Sequence, residues 1–446
     1  MNETAKTKSN FLQGAILPPL ICFALPLMGS QLLQALYSAV DLAVIGRFAP
    51  TASTAAVANG GQIMQAITGL VTGLTMGVTV LVGKAAGGKN RAEAGRVVAG
   101  QIRLFFLMAL ALTALTVALA PAAVAWMNVP EPSRPQAIAY LRICGSGMIF
   151  VTAYNGISGV FRGLGNSRSP LLFVVIACAI NVVLDLVFVA GLGLDAAGAA
   201  LATVTAQAGS VLFSVLYLRF HPLPFTLRRE SFRGWGSARR IAALGTPIAL
   251  QDFLVSISFL IITSIVNRLG VAASAGIGIT EKLFVFLALV PMAFMSALSA
   301  FVAQNMGAGQ PDRARRALVL ARRISTGVGV CIFLLTFFGG GVLASFFEDD
   351  PEVIAAAATY FKSSSLEYLL SPAVFCMLGY FNGQERTTFV MIQGLASAFL
   401  VRVPLSWLFS IVPGAGLFTI GMAVPLSALF NLAVCLWYDR RLKKAG

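Results

Sequence analysis

Runs of twenty or more apolar residues recur along this chain from end to end. A run of that length is what a helix needs to cross a hydrocarbon layer roughly 30 Å thick. Lipid offers the backbone no hydrogen-bond partners, so such runs must be helices that satisfy themselves. Twelve can be drawn, over residues 14–46, 53–83, 97–127, 136–161, 169–191, 196–218, 241–267, 272–304, 317–346, 353–381, 388–411 and 416–438. Only 11% of the 446 residues are charged, against about 25% in a soluble domain. The expectation is an all-α, multi-pass membrane protein with the lipid bilayer as its main partner. The first run, from Phe11, continues for about 35 residues without an Ala-x-Ala end, so it reads as a span and not as a cleavable leader.

The net charge of +15 would point to nucleic acid in a soluble protein. Its distribution gives a different cause. With the amino terminus inside, the inner loops and tails hold 24 of the 32 basic residues, Lys6 and Lys8 among them. The outer connections hold three, Arg47, Arg134 and Arg268, and the acidic loop Glu348–Asp350 also falls outside. This bias places both termini in the cytoplasm. The basic excess then serves orientation and contact with anionic headgroups, with no nucleic-acid partner. The one histidine, His221, lies in a loop, and the six cysteines fall one to a span with no Cys-x-x-Cys pair. There is no histidine-based constellation and no phosphate-binding glycine motif, so neither an enzyme nor a cofactor is expected.

The two halves of the chain resemble each other at an offset of 221. Pro26 falls on Pro247 and Arg47 on Arg268, while Phe161-Arg162-Gly163 answers Phe381-Asn382-Gly383 at an offset of 220. Each half has six spans, an even number, so the repeats share one orientation and are related by a pseudo-two-fold axis along the membrane normal. The expected organisation is a six-helix lobe over 1–219, a cytoplasmic loop over 220–240 and a second six-helix lobe over 241–446, with a substrate site between or within the lobes. Pro26 interrupts the hydrogen bonding of the first span, which makes it a candidate hinge.

Against this apolar background two carboxylates stand out. Asp41 lies six residues before Arg47, about 9 Å along a helix, and Asp185 lies six residues before Gly191. Thr203, early in the sixth span, sits at a similar depth. Tyr37 and Asp41 are four apart, as are Asn181 and Asp185, so each pair shares a helix face. A carboxylate in hydrocarbon costs at least about 2.5–3.5 kcal/mol, and such groups are functional by default. Asp41, Asn181, Asp185 and Thr203 form an all-oxygen ligand set suited to a hard cation such as sodium. The same pair suits a proton, because two close carboxylates in a low-dielectric pocket resist double ionisation and one of them keeps its proton. Sequence leaves the choice between H+ and Na+ open. The rival reading is a helix lock in which Asp41 pairs with a cation, with Arg103 and Arg142 as the available partners.

The second half lacks the pair, since Asp41 falls on Ile262 and Asp185 on Leu405. Its polar residues are Asp252, Glu281 beside Lys282, Glu367 and Arg402. Glu281 and Lys282 are expected to neutralise each other, and Asp252 and Glu367 to contact substrate or one another. Gln34, Met64 and Asn155 are candidate linings of a cavity in the first lobe; methionine suits sites that accept varied ligands.

The segments PLMGSQLLQALYSAVDLAVIGR, FRGLGNSRSP, NVVLDLVFVAGLGLDAAGAALAT and GTPIALQ occur here in the order seen in the multidrug and toxic compound extrusion (MATE) family. The chain resembles that family over nearly its whole length, and within it the DinF-like branch. The resemblance implies a monomeric antiporter in a prokaryotic cytoplasmic membrane. Such a protein exports cationic and amphipathic drugs by alternating access, in exchange for protons or sodium. It also implies that Tyr37, Asp41, Asn181, Asp185 and Thr203 form the coupling site. NorM-like members carry acidic residues where Val255 and Ser371 stand, which argues against a sodium site of that type in the second lobe. Three rivals remain. A flippase for lipid-linked saccharides of the same superfamily would favour a cationic cavity. An intramembrane enzyme lacks its chemistry here, and a channel would show steady currents.

Overall fold

The computed structural model describes residues 11–445 except 413 and 415, and the ordered structure among them is helical. Lys6 and Lys8, counted above as inner charges, lie outside the described residues. Among the described residues ten helices are long and apolar enough to cross a membrane, or eleven if the pair bent at Gly147 is one span; with the helix pair Pro351–Ser364 and Glu367–Gly383 they follow the order of the twelve sequence runs. The first three are Leu17–Phe48, Thr51–Gly87 and Arg91–Trp126. The fourth joins Arg134–Ser146 to Met148–Gly163, and the fifth and sixth are Arg168–Gly191 and Asp195–Phe220. Span 7 is Gly236–Leu269, span 8 joins Val271–Leu287 to Leu289–Gly307, and span 9 is Pro311–Ser345. Span 10 joins Pro351–Ser364 to Glu367–Gly383, followed by Thr387–Ile411 and Leu417–Lys444.

Most spans begin and end within a few residues of the sequence limits, and two of them start on a capping side chain. The Asn90 side chain accepts the Glu93 backbone N–H at 3.0 Å, and Asp350 accepts that of Glu352 at 2.8 Å. Both satisfy donors left over in a first helical turn. The breaks inside spans were not visible in the apolar pattern. Span 4 bends by 48° between its two parts, at Gly147. A Cβ on Gly147 would stand 2.6 Å from the side chain of Val204 on span 6, so a larger residue there would force the two helices apart. Large apolar side chains such as Phe106, Leu212, Phe338 and Leu400 are exposed. In water that would be costly; in lipid it is the expected surface.

The chain divides into two compact units. One holds residues 25–249 and 307–309, the other 13–24, 250–306 and the chain from 310 onward. The division cuts span 1 between Ala24 and Leu25, beside Pro26, and span 7 between Ala249 and Leu250, just past Pro247. The sequence repeat is also a repeat of contacts. Thr79 donates its hydroxyl to the Gly159 carbonyl at 3.1 Å, and Ser299 does the same to Gly379 at 3.2 Å. Phe161 meets Tyr217 edge-on, and Phe381 meets Tyr438 in the same way. These contacts between helices thus recur in both lobes.

Candidate functional site

Spans 1, 5 and 6 place the five sequence candidates in one pocket of the first lobe. Asp41 is 6% exposed, and Asn181 and Asp185 are fully buried. The Asn181 amide nitrogen faces the acids and donates to Asp41 Oδ1 at 2.8 Å and to Asp185 Oδ2 at 3.1 Å. That orientation is assigned by matching a donor to two acceptors. The carboxyl groups lie close enough to hydrogen-bond to each other once one of them carries a proton. Thr203 stands beside Asp41 and the Tyr37 phenol. Neither hydroxyl completes a hydrogen bond, and Asp185 Oδ1 makes none.

Helix geometry prepares this arrangement. Asp185 is the last α-helical residue of its stretch, and span 5 widens into a π turn over Leu186–Gly191. A π turn accommodates one residue more than an α turn, and such turns concentrate at functional sites. Sequence reading missed two neighbours from span 4. Tyr140 and Cys144, both buried, are within electrostatic reach of Asp41. A Cβ on Gly60 would fall 2.6 Å from the Tyr140 ring, so this glycine lets span 2 lie against the tyrosine. The spacing of four between Tyr140 and Cys144 was the available signal, but both pass as apolar residues in a hydropathy reading.

Among the described residues no lysine or arginine forms an ion pair with Asp41 or Asp185. Arg103 turns instead to the Gly234 carbonyl and the Trp235 ring. The helix-lock reading therefore has no partner to rest on. For a sodium ion, Asp41, Asp185 and Thr203 offer oxygens, whereas Asn181 as oriented presents its nitrogen. No cluster of three or more His, Cys, Asp or Glu among the described residues could hold a metal.

Of the cavity candidates, Gln34 lies about 10 Å from Asp41 along span 1, at seven residues, and is within reach of the Tyr154 phenol. Met64 packs against the apolar cluster that contains Tyr140 and Cys144, the span 4 neighbours of Asp41. Asn155 donates its amide to the Val151 carbonyl of its own helix at 2.8 Å. In the second lobe, Glu281 accepts the Thr263 hydroxyl at 2.9 Å and forms no ion pair with Lys282. The expected neutralisation fails because adjacent helical residues point to different faces.

Comparison with known proteins places this geometry. The MatE family model matches residues 26–187 and again 247–408, most of the chain. The chain belongs to the MATE family. It is a multi-pass membrane transporter and not an enzyme, and transporters of this family need no cofactor. It is similar to the probable multidrug resistance protein YpnP of Bacillus subtilis, 27% identical over 432 residues, covering 97% of this chain and 96% of that one. It is similar to DNA damage-inducible protein F of Escherichia coli, 28% identical over 289 residues, covering 64% and 62%. A MOP superfamily transporter from Pyrococcus furiosus superposes with a TM-score of 0.92 at 18% identity, covering 99% of both chains. The fold of this MATE protein is thus the two-lobed, twelve-span fold of the family.

The two family matches are offset by 221 at both ends, as are Pro26 and Pro247. Span 11 carries a π turn over Ser397–Arg402, as span 5 does over Leu186–Gly191.

Proposed function

We propose that this MATE transporter exports cationic and amphipathic drugs in exchange for protons, loaded on the Asp41–Asp185 pair of a DinF-like first lobe. The observation that supports it is a buried acid pair bridged by one amide and neutralised by no cation. Two such carboxylates cannot both stay ionised in a low-dielectric pocket, so the pair holds a proton between them.

The chain lies in a cytoplasmic membrane with both termini inside, acting as a monomer with lobes over 1–219 and 241–446. Protonation from outside removes a charge and loosens Asn181 from the acids, while Tyr37 and Thr203 gain a carboxylic O–H to bond. Span 1 carries Asp41, and Pro26 takes one backbone N–H out of its hydrogen-bond ladder, so this helix can shift with the state of the pair. Substrate and proton then exclude each other by reciprocal coupling. The flippase reading calls for a cationic cavity, and the first-lobe pocket is acidic.

The test is efflux of a fluorescent organic cation from membrane vesicles under proton and sodium gradients imposed separately. Export is expected with the inward proton gradient alone. Export driven only by sodium would replace the coupling ion, with Asp41, Asp185 and Thr203 as its ligands. Export under neither gradient would overturn the antiporter reading.

A further inference from the structure

The second lobe leaves open a helix face that the first lobe covers. In the first lobe the chain between spans 6 and 7 lies along the start of span 3. Phe225 is buried there with Val97, Val98 and Ile241. A Cβ on Gly95 would stand 3.1 Å from the Thr226 carbonyl, and one on Gly100 would stand 2.8 Å from Ser237 and Ala238. These two glycines leave room for the covering chain. Counted from the first helical residue, their places in span 9 are taken by Arg315 and Leu320. There the face is open. A cavity of about 450 Å³ is lined by Ile16, Asp312, Arg315, Arg316, Val319 and Leu320, all within one compact unit. The five residues of span 9 stand at i, i+3, i+4, i+7 and i+8, so they share one face. Its charged members come first and its aliphatic ones follow, the order met on passing from headgroups into hydrocarbon.

One charge in the cavity is already engaged: Arg315 donates to both carboxylate oxygens of Asp439, at 2.9 and 3.3 Å. Two others are not. Asp312 and Arg316 stand four apart, where a helix allows an ion pair, yet among the described residues neither forms one. An arginine fork matches the oxygens of a phosphate, and basic pockets at the ends of membrane helices recognise phospholipid headgroups. The open carboxylate narrows the choice of lipid. A glycerol headgroup brings no cation for Asp312, and a choline ammonium has no N–H to donate to it. We propose that this pocket binds phosphatidylethanolamine, with Arg316 on the phosphate and Asp312 on the ammonium. Ile16, Val319 and Leu320 then meet the glycerol and the first acyl carbons. The rival occupant is the chain's own start. Residues 1–10 carry Lys6 and Lys8 against one glutamate and include no aromatic residue. They bring like charge to Arg316 and no counterpart of Phe225. The site is independent of the coupling ion and of the drug exported.

Native mass spectrometry tests this on the purified full chain in detergent. The protein is mixed with equal amounts of phosphatidylethanolamine, phosphatidylglycerol and phosphatidylcholine of one acyl length. Wild type should retain one phosphatidylethanolamine about threefold over either other lipid, the size of one partly exposed ion pair. Asp312→Asn should bring the ratio of phosphatidylethanolamine to phosphatidylcholine to about one. Arg316→Gln should lower retention of all three lipids about threefold, and Arg316→Lys, which keeps the charge, should preserve the preference. Both side chains are exposed, so neither change removes a core contact. Equal retention of the three lipids by wild type is what an unselective lipid annulus gives, and it would overturn the site. So would a preference that persists in Asp312→Asn, or retention unchanged in Arg316→Gln. Wild type that retains no lipid would leave the pocket to the chain's own start, which overturns the site as well.

Discussion

The two lobes repeat one another down to single hydrogen bonds, Thr79 to Gly159 and Ser299 to Gly379. They part where polar groups are buried. The first lobe sets Asn181 between two acids; the second buries Arg402 over a phenylalanine ring in span 11, which like span 5 carries a π turn. Contacts that let helices cross closely tolerate little change, because a single added methylene forces backbones apart in a close-packed interior. A buried polar group is different. It weakens the fold at any position, so it persists where it does work, and each lobe holds a different set.

The largest effect that would break this contrast is at Asp41. Asp41→Asn should reduce efflux to the level of membranes lacking the protein, with insertion unchanged on a membrane-fraction blot. Asp185→Asn should do nearly the same, and the double variant should be no worse than either, because the acids act as a unit. Undiminished efflux by a correctly inserted Asp41→Asn protein would remove the basis for treating the first lobe as the coupling lobe. Pro26→Ala restores a backbone donor inside span 1, and should lower turnover several-fold while proton binding by the acid pair persists, as read by pH-dependent infrared bands of carboxyl groups. Gly60→Val drives a side chain into the Tyr140 ring and should lower stability by about 1–3 kcal/mol, measured as a fall in Tm. The smallest effect sharpens the second lobe. Arg402→Met removes a buried cation that no bound acid neutralises, so Tm of the ligand-free protein should hold or rise by a few degrees. A clear fall would make the guanidinium a structural tie.

Much of the first lobe could be read directly from the sequence. Asp41 and Asp185 interrupt runs otherwise built for lipid, and a spacing of four puts Tyr37 and Asn181 beside them whatever the details of packing. The internal repeat was equally plain from Pro26 and Pro247. Other features depend on how helices meet, which hydropathy does not encode. At the bend, Gly147 lies where a Cβ would meet Val204 of span 6, a contact hydropathy does not register. The π turn at Ser397–Arg402 leaves no trace in the apolar pattern. Tyr140 and Cys144 were overlooked because a phenol and a thiol count as apolar until a carboxylate is found beside them. Glu281 and Lys282 misled in the opposite sense, since neighbours in sequence were taken for neighbours on a helix surface.

The central claim is that the acid pair, doubly protonated when loaded, surrenders its second proton when substrate binds and keeps the one shared between the carboxyls. It is tested most directly by adding an organic cation to the purified transporter in weakly buffered solution and following the pH. Wild type should release about one proton per cation bound, and Asp41→Asn none. Binding without proton release in wild type, or equal release from both proteins, would contradict the account.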